Sequence, residues 1–61
     1  MANSKELNFG VEFFMGTTKV RVYYCATADE AWSIYCKKIH LFTGGRTMDY
    51  ANNNEMYANI R

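Results

Sequence analysis

The residues able to do chemistry in this chain are few. Cys25, Cys36 and His40 could supply a nucleophile, a thiolate ligand or a base, and Asp29-Glu30 is the one adjacent carboxylate pair. Nucleophilic catalysis needs a histidine to take the proton and a third group to orient that histidine. Cys36 and His40 stand four apart, so a helix brings them to one side, but no acid accompanies them. They read as a helix thiol and a solvent-side histidine. Two cysteines outside any CxxC and a single histidine do not make a tetrahedral ligand set, so neither metal nor cofactor is expected. Gly44-Gly45-Arg46-Thr47 has the glycines of a phosphate-cradling loop, but it follows a helical pattern instead of preceding one. Asp29-Glu30 suits a helix start better than acid-base work. The sequence carries no catalytic signature, and a protein without enzymatic activity is expected.

The element that must position these residues is an amphipathic helix over Thr27 to Phe42. Thr27 and Glu30 have the spacing of a capping box, Asp29 and Glu30 put negative charge in the first turn, and Lys37 and Lys38 lie toward the other end. Ala28, Ala31, Trp32, Tyr35, Ile39 and Phe42 recur at intervals of three and four, opposite Asp29, Ser33, Lys37 and His40. Gly44-Gly45 is read as the left-handed stop, with Thr43 or Gly44 as the last helical residue.

That apolar stripe needs a sheet to cover. Glu6 to Met15 and Thr18 to Ala26 each alternate with a period of two, and Gly16-Thr17 between them suits a type II′ turn. Counting outward pairs Met15 with Thr18, Phe13 with Val20, Val11 with Val22, Phe9 with Tyr24 and Leu7 with Ala26. Every apolar pair then lands on one face. The other face carries Phe14 with Lys19, Glu12 with Arg21 as a cross-strand ion pair, Tyr23 over Gly10, and Asn8 with Cys25.

Beyond Gly45 the alternation of Arg46 to Ala51 and of Glu55 to Arg61 predicts a second hairpin turning at Asn52-Asn53-Asn54. It sets Tyr50 against Met56 and Met48 against Ala58, with Thr47, Asp49, Tyr57 and Asn59 outward. The competing pattern is a short helix capped by Asn53 or Asn54, with Met56, Tyr57 and Ile60 on one side. The hairpin gives the expected fold class: α+β, a single ββαββ domain over residues 1–61, one antiparallel sheet with the helix across one face and residues 1–5 as a loose leader.

At 61 residues the core is small, and oligomerisation is a usual aid at this size. A homodimer is expected from unpaired strand edges and outward aromatics. The sequence is 49% hydrophobic and 16% aromatic, too apolar for a disordered tail. Met1 to Lys5 leads into Glu6 and Asn8 without an apolar run, which predicts no signal peptide, no membrane span and a cytoplasmic protein with both thiols reduced. A net charge of +1 argues against a strong sequence-independent grip on nucleic acid.

The remaining surplus is of rings and cations. Phe14, Tyr23 and Tyr57 with Lys19, Arg21 and Arg46 are expected on the outer face, and such residue types concentrate at the hot spots of protein interfaces. They point to a protein partner and to a module that acts by occupying a surface. Small phage and mobile-element proteins that block host enzymes or defence complexes, anti-CRISPR proteins among them, fit this profile. The alternative is a nucleic-acid reader that stacks unpaired bases on the same face. The Thr27–Trp32 start after a hairpin is loosely similar in layout to three-stranded DNA-binding domains of the integrase-arm or AP2 kind, with two strands here instead of three and without their basic excess.

Overall fold

The computed structural model describes residues 7–60. Four strands and one helix follow in the order β1 (Phe9–Met15), β2 (Thr18–Cys25), α1 (Ala28–Lys38), β3 (Gly44–Asp49) and β4 (Asn54–Ile60). They form one antiparallel sheet of order β2-β1-β3-β4, with α1 packed over β1, β2 and β3. Because β1 is antiparallel to both neighbours, β2 and β3 run the same way on either side of it, and α1 is the crossover that joins them. The fold is the ββαββ arrangement expected; the leader and the terminal Arg61 lie outside the described residues.

The helix starts as its sequence dictates. Thr27 Oγ1 accepts from the Glu30 N–H at 3.2 Å, and Glu30 Oε1 accepts from the N–H groups of Ala26 and Thr27. Its end differs from expectation. α1 stops at Lys38, a 3-10 turn spans Ile39–Leu41, and Gly44 and Gly45 belong to β3. Tertiary contacts end this helix without a left-handed glycine. Phe42 turns extended and stacks its ring 4.5 Å from that of Phe13, and Thr43 bonds the backbone of Phe14. Thr43 Oγ1 donates to the Phe14 carbonyl and accepts from the Gly16 N–H, tying the first turn to β3. Gly16 supplies the positive φ of 65° that a type II′ turn needs there.

The first hairpin keeps the expected pairs Met15–Thr18 and Phe14–Lys19, then a bulge at Val20 shifts the register. Phe13 therefore faces Arg21, Val11 faces Tyr23 and Phe9 faces Cys25. An extra residue reverses the sides of everything after it. Tyr23 and Cys25 lie on the helix side, while Val22 and Tyr24 lie on the open side, the reverse of the sequence reading. The β1 assignments hold: Val11 and Phe13 are fully buried, and with Cys25, Ala31 and Tyr35 they make the core. Cys25, expected to point away from the helix, donates its thiol to the Thr27 carbonyl at 3.6 Å, and burial pushes that thiol up.

The second hairpin is present, with β4 where a short helix was the competitor. Its turn occupies residues 50–53, and Asn53 takes the left-handed conformation at φ 59°. Thr47 faces Tyr57, Arg46 faces Ala58 and Met48 faces Glu55, with a bulge at Met56. Thr47 and Tyr57 are therefore on the helix side and Met48 on the open side, again opposite to expectation. The cause is space beneath the helix. Gly45 and Thr47 lie opposite Phe13 and Val11, where a Cβ on Gly45 would sit 2.9 Å from the Phe13 ring, so only small residues fit and the long side chains go to the other face.

Candidate functional site: the open face of the sheet

The face without a helix is built in cross-strand rows. One row is Tyr24, Gly10, Met48 and Glu55; the next is Val22, Glu12, Arg46 and Ala58; Lys19 and Phe14 begin the third. Gly10 leaves a gap in the first row, and the Tyr50 ring fills it, since a Cβ there would meet Tyr50 Cε2 at 2.7 Å. Tyr24 lies against that ring at 5.6 Å between centroids and stays 60% exposed.

Glu12 is the centre of the face and is only 4% exposed although no element covers it. Side chains provide the cover. Arg46 Nε donates to Oε1 at 2.7 Å, Tyr50 Oη donates to Oε2 at 2.7 Å, and Lys19 Nζ is 3.7 Å from Oε2. Arg46 also reaches Glu55 at 3.5 Å and lies over the Phe14 ring at 5.4 Å. Burial pushes the Glu12 carboxyl up, but the bonds from Tyr50 and Arg46 and the charges of Arg46 and Lys19 outweigh it and leave the group below its ordinary range. Burial and the neighbouring Glu12 carboxylate push the Tyr50 hydroxyl well up, so it remains a donor. Both Glu12 oxygens and the Tyr50 proton are thus committed to one another. The network holds shape; it does not offer a proton.

Of the residues selected from sequence, Phe14, Lys19 and Arg46 come together on this face. Arg21 does not: it stands opposite Phe13, and its guanidinium donates to the Val20 carbonyl, so the expected Glu12–Arg21 pair is replaced by Glu12–Arg46. Tyr23 is half-buried under the helix side, edge-on to Phe13 at 6.0 Å with Lys38 Nζ 5.3 Å from its ring. Tyr57 is also on that side, against Trp32 and Tyr35. For Arg21 and Tyr23 the cause is the bulge at Val20, which parity counting does not see; Tyr57 follows its partner Thr47, one of the small residues that fit beneath the helix. Sequence reasoning missed Glu12 as a hub, along with Tyr24 and Tyr50. A carboxylate in the middle of an apolar alternation beside a glycine was the available signal for the first and third; nothing marked Tyr24 over Tyr23.

Among the described residues no group of three His, Cys, Asp or Glu side chains could hold a metal ion. No helix among them is long and apolar enough to cross a membrane. A cleft of about 430 Å³ lies between α1 and the end of β2, lined by Leu7, Tyr24, Cys25, Ile34 and Lys37 with Glu30, whose carboxylate is already used by the helix cap. Comparison with protein-family models, with curated proteins and with solved structures returns no match.

Proposed function

We propose that this chain is a non-catalytic binding module that acts by laying the open face of its sheet on a protein partner. Proteins that work this way at this size include phage and mobile-element inhibitors of host enzymes or defence complexes, the anti-CRISPR class among them, and a cytoplasmic site of action goes with that reading. The observation that carries it is the uncovered face itself: Tyr24, 60% exposed, set against Tyr50 beside the fixed Glu12–Arg46 network. Rigid rings next to satisfied polar groups bind with little ordering cost, which is how interface hot spots gain their energy. Their complement is an apolar partner patch rimmed by acceptors for the Tyr24 hydroxyl and Lys19.

Immobilised protein exposed to host-cell lysate should retain a stoichiometric protein partner. Tyr24→Ala and Phe14→Ala should each weaken capture at least about tenfold, the scale of a single hot-spot residue, with the circular dichroism spectrum unchanged. Equal capture by both folded variants would defeat the site assignment.

A second reading rests on the same face, where Phe14 and Tyr24 stand near Lys19 and Arg46 in the manner of a single-strand reader. It ranks lower because Glu12 engages both cations and Glu55 takes the rest of Arg46, leaving little charge to neutralise phosphates. Fluorescence anisotropy with single-stranded oligonucleotides at low salt tests it, and binding that weakens steeply with added salt would promote it.

A further inference from the structure

We infer that β4 is a contact between two copies of this chain, related by a two-fold axis that passes beside Tyr57 and pairs β4 with β4 of the second copy. This goes beyond the proposed function and uses a different surface, the sheet edge and the helix side instead of the open face.

The two edges of the sheet are built differently. β2 carries Lys19 and Arg21 and a bulge at Val20, which are the devices that keep an edge from pairing with another chain. β4 has its bulge at the start, at Met56, and beyond it Tyr57 to Ile60 continues without a charge, a proline or a further irregularity. Its one charged residue, Glu55, is drawn to the open face by Arg46 at 3.5 Å. Two such strands meet without opposing like charges. With Tyr57 on the axis, the two Glu55 residues fall on opposite sides of it, one toward each end of the shared ladder, so the two glutamates do not face each other.

The helix side argues for the same occupant. α1 packs over β1, β2 and β3, and the helix side of β4 is reached by Trp32, whose ring meets that of Tyr57 edge-on at 5.2 Å. Trp32 also stacks on Tyr35 at 5.4 Å, yet Trp32 remains 49% exposed and Tyr57 46%. An isologous contact uses one patch twice, so each residue meets its own kind or its symmetry mate. On this axis Tyr57 faces Tyr57, and the two Trp32–Tyr57 pairs join into one row of rings. Aromatic pairs of this sort, directly opposite across two strands, are among the more stabilising in a sheet. The five buried apolar residues among those described make a small core, and a continuous sheet through two copies enlarges it.

Trp32 is the single tryptophan of the chain, so its emission reports this contact directly. Sedimentation velocity across the micromolar to millimolar range should show a dimer forming, and Trp32 emission should shift to the blue over the same concentrations. Tyr57→Lys should abolish both changes, and Met56→Lys, which puts a cation at the exposed bulge of the pairing edge and spares the aromatic packing, should weaken association at least about tenfold. Thr18→Lys on β2 should leave association unchanged. A chain that stays monomeric throughout, or a dimer that is insensitive to Tyr57→Lys and Met56→Lys while both remain folded, would overturn the inference. Neither result bears on capture through Tyr24, which is read on the other face.

Discussion

Glu12 and Arg46 stand directly opposite each other on the two central strands, with the guanidinium Nε 2.7 Å from the carboxylate. The folded protein holds Glu12 below its ordinary value, so this residue adds stability above the unfolded-state value near 4.5 and loses it as the pH falls through the lower, folded value. Urea midpoints measured at successively lower pH should fall in the wild type and fall less in Glu12→Gln. At neutral pH the same variant should cost about 1–3 kcal/mol, because Arg46 is left over a neutral amide but can turn to Glu55 and water. Tyr50→Phe, which removes one donor from the same carboxylate, should cost about 1 kcal/mol. An acid dependence identical in wild type and Glu12→Gln would show that the carboxylate is not tuned by this network.

Tyr23 and Tyr24 separate the observed register from the simple hairpin. Tyr23 packs on the fully buried Phe13, so Tyr23→Ala should lose roughly 2 kcal/mol of unfolding free energy. Tyr24 is mostly exposed and touches only Tyr50 among the rings, so Tyr24→Ala should lose less than about 1 kcal/mol. Chemical denaturation of the pair decides it: the reverse order would place Val20 back in the ladder.

Those two residues also show what was legible in the chain. The capping box, the inward helix residues Ala31 and Tyr35, the Gly16 turn and the inward set Val11 and Phe13 all followed from local chemistry, and so did the alternation that makes β4 a strand; Ala28 and Trp32, on the same expected stripe, are exposed. Sides failed where both parities of a strand are ring-bearing or apolar: Val22 and Tyr24 compete with Tyr23 and Cys25, and the pattern contains no penalty for either choice. A bulge then decides, and bulges are set by tertiary contacts. The place of Gly44-Gly45 in β3 has the same origin in tertiary contact. A glycine pair after a helix suggests a left-handed stop, but Gly45 is there because Phe13 lies over it. For the open face, the outward positions of Phe14, Lys19 and Arg46 follow from the sequence pattern, whereas the pairing of Glu12 with Arg46 instead of Arg21 depends on the strand order and the bulge.

The helix start should behave as a local device. Thr27→Ala removes the acceptor for the Glu30 N–H and unlatches the reciprocal Glu30 contact, at a cost of about 1 kcal/mol. Thr27→Asn should recover most of it, since asparagine caps as well. Thermal melts of the three proteins read this directly, and a Thr27→Asn melt as low as that of Thr27→Ala would mean that Thr27 matters for something other than its oxygen.

Gly45 tests the packing argument most sharply, because nothing in its backbone demands glycine. Its φ is not in the left-handed region; the glycines with that need are represented by Gly16. The constraint is space alone. A Cβ at position 45 would lie 2.9 Å from Phe13 Cδ1 and 3.0 Å from Ile39 Cδ1. The Ile39 methyl is a side-chain end that can swing aside, but the Phe13 ring is fully buried and held between Tyr23, Tyr35 and Phe42. Gly45→Ala should therefore cost roughly 1–3 kcal/mol by overpacking, although alanine is the better residue for the unfolded-state entropy. The double variant Gly45→Ala with Phe13→Leu should then lose less than the two single changes added together, because the smaller side chain relieves the clash. Denaturation midpoints for the full cycle measure that coupling, and strict additivity would mean that the ring does not press on β3.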